Sequence, residues 1–161
     1  MLGGAGLPAG RADGGGARAV PGRGPGIRSI PLRVVFDTNV LVAALVFPGG
    51  RADEALQRIV DGRDILLLSP AILDETLGVL ARKFSRDPEM LAETAVFLTQ
   101  LAVTVRPRLR LRTLADEADN RILECALAGR AHAVVTGDRA MLALQSFRRV
   151  RILTIREYLA T

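Results

Sequence analysis

The chain has 161 residues and a net charge of +5, from 22 basic and 17 acidic side chains. That length allows one ordinary domain plus a tail, because domains most often run about 100–150 residues, and it excludes a multi-domain machine. A single cysteine, Cys125, and a single histidine, His132, exclude a disulfide framework, a cysteine-rich zinc or iron–sulfur site and histidine relays, so the expected compartment is the reducing cytoplasm. Aromatic residues make up only 4% and tryptophan is absent, so any nucleic-acid contact would rest on charge more than on base stacking.

Residues 1–31 are dominated by Gly, Arg, Ala and Pro and carry Arg11, Arg18, Arg23 and Arg28 against Asp13 alone. This stretch holds most of the excess charge and too few apolar side chains to offset its ordering entropy, which predicts a disordered tail. It reads as an Arg/Gly arm for RNA or as a passive extension. A domain is expected over 32–161. Leu32–Phe36 is a short β-prone run that stops at Asp37, and Asn39–Phe47 is an apolar helix ended by Pro48-Gly49-Gly50. Its apolar run from Val40 to Phe47 is far below the roughly 18–20 residues that span a bilayer, so no membrane association is expected. A second helix spans Asp53–Asp61, and Ile65–Leu68 is a continuous apolar strand. Ser69-Pro70 and Asp87-Pro88 each pair an N-cap with a first-turn proline, opening helices that reach Phe84 and Leu101. Val103–Val105 is a third strand, and a helix follows from the Asp116 cap to Gly129. Ala133–Val135 is a fourth strand, Arg139–Leu144 a short helix, and Val150–Leu153 a last strand with a helical coda. Continuously apolar strands separated by helices predict an α/β fold with a parallel sheet covered on both faces.

In such sheets, sites form beyond the carboxyl ends of the strands, and each of the first four strands delivers an acid there. Asp37 ends the first, Asp74 and Glu75 fall in the helix after the second, Asp116 and Asp119 open the helix after the third, and Asp138 follows the fourth. Asp119 stands out, because Ile122, Leu123 and Ala126 at i+3, i+4 and i+7 place its carboxylate within an apolar stripe. A buried carboxylate needs a cation, a donor network or a shifted pKa, and the chain's only lysine is Lys83. A divalent ion is the economical partner for converging carboxylates, and all-oxygen ligation selects Mg²⁺ or Mn²⁺ over zinc. Asp74 and Glu75 flank the stripe Ile72, Leu73, Leu77, Leu80 and Phe84 on opposite sides, so helical geometry leaves the choice between them open. Taken singly, each acid also has a plain role: Asp116 and Asp138 as helix caps, Asp74 as a solvated charge. Those roles do not explain why Asp37, Glu75, Asp119 and Asp138 share one rim.

Carboxylate-held magnesium suits phosphodiester hydrolysis, since it can generate a nucleophile and stabilise a leaving oxygen. Arg106, Arg108, Arg110 and Arg112 alternate with Pro107, Leu109 and Leu111, so an extended segment points all four arginines one way. They read as a track for an RNA backbone or as a charged edge that blocks aggregation. Arg148, Arg149 and Arg151 are a second basic cluster.

The ordered blocks Val34-Val35-Phe36-Asp37-Thr38-Asn39-Val40-Leu41, Leu73-Asp74-Glu75, Asp116-Glu117-Ala118-Asp119-Asn120 and Val135-Thr136-Gly137-Asp138, closing with Ile152-Leu153-Thr154, resemble a PIN domain over about residues 32–160. More narrowly, they resemble the PIN-family toxin components of bacterial toxin–antitoxin systems. The resemblance implies a three-layer α/β/α sandwich around a parallel sheet of four to five strands and a Mg²⁺- or Mn²⁺-dependent ribonuclease. It also implies a homodimer and a cognate antitoxin that blocks the site. Residue by residue, Asp37, Glu75 and Asp119 match the three core metal-binding acids and Asp138 the fourth, more variable one. Thr38 and Asn39 match positions that hold the first acid and the substrate phosphate. The pattern thus favours Glu75 over Asp74. Ala118 and Glu117 depart from it, which touches only an auxiliary role for Asp116.

Other phosphate chemistries fail on residues. A haloacid-dehalogenase phosphatase needs an acid where Asn39 stands, a receiver domain needs a late strand-end lysine, and dinucleotide binding needs a glycine-rich turn that Asp37-Thr38-Asn39 lacks. Two alternatives stay open: a catalytically idle PIN-like module that binds RNA or protein, and an RNA-processing nuclease with no antitoxin.

Overall fold

The computed structural model describes residues 30–161, and the expected tail lies outside them but for its last two residues. Six strands form one sheet in the order β3-β2-β1-β4-β6-β5. In chain order the elements are β1 (Arg33–Phe36), α1 (Thr38–Val46), α2 (Arg51–Val60), β2 (Ile65–Leu68), α3 (Pro70–Phe84) and α4 (Pro88–Leu101). They continue with β3 (Val103–Thr104), α5 (Glu117–Ala128), β4 (Ala133–Val135), α6 (Arg139–Leu142), β5 (Ser146–Phe147), β6 (Val150–Leu153) and α7 (Ile155–Leu159). The five expected strands are all present and mutually parallel. The sheet exceeds the expected count by β5, which pairs antiparallel with β6. Two residues carry too little pattern to read as a strand; the pairing comes from the two-residue Arg148-Arg149 turn that folds β5 back.

The central strands are apolar along their whole length because both faces are covered. Val34, Val35, Phe36, Leu67, Val134 and Val135 are fully buried. Helix α5 packs on β1, β2 and β4, while α2 bridges α1 and α7, completing the α/β/α arrangement. The chain lays down β1, β2 and β3 toward one edge and then returns to place β4 and β6 on the other side of β1. The reversal point is therefore between β1 and β4, where a crevice opens beyond the strand ends.

Capping fixes where the helices start. Ser69 and Asp87 accept hydrogen bonds from the amides of Ile72 and Met90, each with a first-turn proline, and Asp116 accepts from Ala118. Among the described residues no helix is long and apolar enough to cross a membrane. A polar latch ties the C-terminal helix to the sheet: the Tyr158 hydroxyl donates to Asp64 at 2.6 Å, and the other Asp64 oxygen accepts the Leu32 amide. Arg58 lies over the Tyr158 ring and donates to the carbonyls of Tyr158 and Leu159.

Candidate active site at the carboxyl ends of the strands

Asp37 follows β1 and Asp138 follows β4, one on each side of the reversal point. The Asp37 amide donates to the Val135 carbonyl, which continues the β1–β4 pairing past the last strand residue. Its carboxylate is nearly buried and accepts a 2.6 Å hydrogen bond from the Thr136 hydroxyl. The same hydroxyl accepts the Asp138 amide at 3.0 Å, and the Asp138 carboxylate accepts the Met141 amide as the cap of α6. One relay thus positions two acids from neighbouring strands. Asp138 is a helix cap and a rim acid at once, since its cap bond engages only one oxygen.

Asp119 is buried on α5, as its place in the stripe Ile122, Leu123 and Ala126 requires. Burial raises its pKa to about 7, reinforced by the negative charges of Asp138, Asp116 and Asp37. Burial likewise raises Asp37, against the opposing hydrogen bonds from Thr136 and from the backbone at Thr38 and Asn39. No arginine, lysine or histidine among the described residues pairs with Asp37, Asp119 or Asp138. Three carboxylates from β1, α5 and the β4 end therefore share one neighbourhood of uncompensated negative charge. Thr38 is buried behind Asp37 and Asn39 is exposed at the start of α1.

Glu75 and Asp74 are both exposed on α3. The buried face of α3 consists of Ile72, Thr76, Val79 and Leu80, whereas Phe84 is 37% exposed. Thr76 can be buried because its hydroxyl donates to the Ile72 carbonyl, and this turns the buried face away from the stripe expected from apolar residues alone. At about 100° per residue, Glu75 lies about 90° from the centre of that face and Asp74 nearly opposite it. Glu75 is thus the acid at the margin of the packed face. Among the described residues no three acid, histidine or cysteine side chains stand assembled as a metal-ligand cluster. Asp37, Asp119 and Asp138 act on one another's charge, whereas Glu75 stands exposed on α3; so open an arrangement suits an ion that retains several waters. The donor set fits a hard divalent cation: it is all oxygen, and the burial and, secondarily, the mutual repulsion that lift Asp119 are what such a cation would offset.

Arg106, Arg108, Arg110 and Arg112 are all exposed and alternate with half-buried Pro107, Leu109 and Leu111, as the spacing requires. Two buried polar side chains of α5 staple this segment down. Asn120 exchanges two 2.8 Å hydrogen bonds with the Leu114 backbone, and Glu124 accepts the Leu111 amide while holding Arg121 at 2.7 Å. The result is a cleft of about 350 Å³ in which Arg106, Arg108 and Arg110 face Ser69 and Pro70 at the start of α3. Arg110 also lines an adjoining, slightly smaller cleft with Arg112 and Glu117. Sequence reasoning gives no role to Thr136, Asn120 or Glu124. For Thr136 a signal is present, as a hydroxyl at a strand end two residues before an acid.

The family model for the PIN domain matches residues 33–140. The chain belongs to the PIN domain family, whose members are generally nucleases. The uncharacterized protein MJ1680 of Methanocaldococcus jannaschii is 27% identical over 123 residues, 74% of this chain and 79% of that one. The crystal structure of VapBC2 from Rickettsia felis bound to a DNA fragment from their promoter contains a chain similar in fold. It matches with a TM-score of 0.58 and 14% identity, over 76% of this chain and 98% of that chain.

Proposed function

We propose that the protein is a metal-dependent endoribonuclease and the toxin of a toxin–antitoxin pair. The observation that carries this reading is Asp119, a buried carboxylate whose pKa is raised to about 7 by burial and three neighbouring acids, with no cationic side chain to offset it. Asp37, Glu75, Asp119 and Asp138 would hold Mg²⁺ or Mn²⁺, which supplies the Lewis acidity and the activated water that phosphodiester hydrolysis needs. The Thr136 relay holds Asp37 and Asp138 relative to each other, as supporting hydrogen bonds orient acids that hold a metal. Thr38 and Asn39 position Asp37 and the substrate phosphate at the start of α1. Arg106, Arg108, Arg110 and Arg112 bind the RNA backbone through charge, and the staple to α5 keeps that track beside the helix that carries Asp119.

The toxin reading rests on the motif resemblance and on the likeness in fold to the VapBC2 chain. A homodimer is part of it, supported by the apolar side chains of α4 left at the surface: Met90, Val96 and Phe97 are exposed and only Leu98 is buried. Such a patch marks an interaction surface. The test is incubation of purified protein with a mixed RNA pool and Mg²⁺ or Mn²⁺, beside EDTA and an Asp119→Asn variant. Cleavage that requires both metal and Asp119 is expected. Intact RNA across several classes, from a folded and metal-loaded sample, would favour the idle binding module.

A further inference from the structure

A cavity of about 780 Å³ lies far from the acids. Its walls come from the amino ends of β1, β4 and β6 and the end of α5, the opposite edge of the sheet from Asp37 and Asp138. The floor is apolar, formed by Leu32, Leu127 and Val150, and the rim carries Arg130, His132, Arg148, Arg149 and Arg151. No acid lines it, and among the described residues no carboxylate pairs with any of the four arginines. His132 Nδ1 accepts the Arg33 amide at 2.9 Å, so in the neutral ring the proton sits on Nε2 and His132 adds another donor.

The backbone under two of these arginines gives the second observation. Arg130 has φ 55° and Arg148 has φ 56°, in the left-handed region that strains side-chain-bearing residues. Arg130 directly follows the Gly129 cap of α5, the place where a helix most often puts glycine. Arg148 is the first residue of the two-residue turn between β5 and β6, where glycine is again the usual occupant of a turn with positive φ. Turn and helix end alone would be better served by glycine. What arginine adds at both places is a basic side chain lining one cavity; the Arg148 guanidinium also lies over the Phe147 ring, 5.2 Å from its centroid.

We propose that this cavity binds a nucleotide, with its phosphate among the guanidiniums and its base on the apolar floor. The planar fork of arginine matches phosphate oxygens two at a time, and the volume falls in the range of small-molecule sites. The nucleotide is either free or one unit of an RNA strand, and both present the same chemistry. The inference does not depend on cleavage, because the cavity shares no residue with the acidic rim.

The test uses the full chain in EDTA and measures equilibrium binding of adenosine monophosphate, a 12-nucleotide single-stranded RNA and polyglutamate. The variant combines Arg130→Gly and Arg148→Gly, which removes two guanidiniums while relieving the backbone. A purely structural role for these arginines would leave binding unchanged. We expect at least a tenfold loss of affinity for a nucleotide probe together with an unchanged or higher melting temperature. Loss with both nucleotide probes assigns the site to free nucleotides, and loss with the RNA alone assigns it to a strand. Equal affinity in variant and wild type, no nucleotide binding by the wild type, or binding of polyglutamate alone would each overturn the proposal. The kcat of metal-dependent cleavage at saturating RNA, measured in parallel, is expected to be the same in both proteins, because neither arginine lies among the acids, so failure here leaves the nuclease reading standing.

Discussion

The Thr136 hydroxyl donates a 2.6 Å hydrogen bond to Asp37 and accepts the Asp138 amide at 3.0 Å, so one side chain sets the positions of acids carried by two strands. Thr136→Val keeps the shape and removes both bonds. It leaves a buried carboxylate oxygen without its donor, at a cost of about 1–3 kcal/mol in stability, and should lower metal-dependent cleavage by roughly 10–100-fold. Thr136→Ser restores the hydroxyl and should recover most of both. Chemical denaturation and initial cleavage rates, measured on all three proteins, check this; equal rates in wild type and valine variant would remove Thr136 from the positioning of the site.

Asp119 makes stability depend on pH with a defined sign. Its pKa rises from 3.8 unfolded to about 7 folded, so between those values the folded state binds the extra proton. Stability of the metal-free protein therefore falls as pH rises through that window and levels off above about 7. Asp119→Asn removes the charge and should stabilise the metal-free protein at pH 8 by about 1–3 kcal/mol, while flattening that part of the profile. Thermal melts in EDTA from pH 5 to pH 8 measure it. A melting temperature that rises with pH equally in both proteins would contradict the placement of Asp119.

The Tyr158 latch accounts for how the short C-terminal helix is held. Tyr158→Phe removes the donor to buried Asp64 and should cost about 1–3 kcal/mol, with no change in cleavage once folded. Denaturant melts check the first part and activity per folded molecule the second. A loss of activity in the folded variant would mean that the latch communicates with the rim.

Much of this is legible in the sequence because the chain states it twice. Apolar runs with capped helices between them fix β1, β2 and β4, and Asp119 declares its burial through Ile122, Leu123 and Ala126. Two things are not legible. Short β5 has no pattern of its own and exists only because the Arg148-Arg149 turn returns it to β6. The buried face of α3 depends on Thr76, a polar residue that satisfies its hydroxyl within its own helix, so apolar periodicity misplaces that face and leaves Asp74 and Glu75 unresolved. Pairings between distant segments, such as Thr136 with Asp37 or Tyr158 with Asp64, follow from how the fold brings the strands and the C-terminal helix together, which local pattern does not carry.

The arginine track is expected to act through charge. Replacing Arg106, Arg108, Arg110 and Arg112 by alanine should weaken RNA binding by tenfold or more at low salt. It should also lower the slope of log affinity against log salt by about one for each phosphate no longer neutralised. Filter binding of an Asp119→Asn background protein across a salt series gives both numbers. An unchanged slope would make the four arginines a protective edge instead.

The most direct test is a Mn²⁺ titration of the metal-free protein, read by electron paramagnetic resonance, on wild type, Asp119→Asn and Glu75→Gln. We expect saturable binding by the wild type and loss of at least tenfold in affinity in each variant, even though Asp119→Asn is the more stable fold without metal. Identical isotherms for wild type and Asp119→Asn would show that the acidic rim is not where the metal sits.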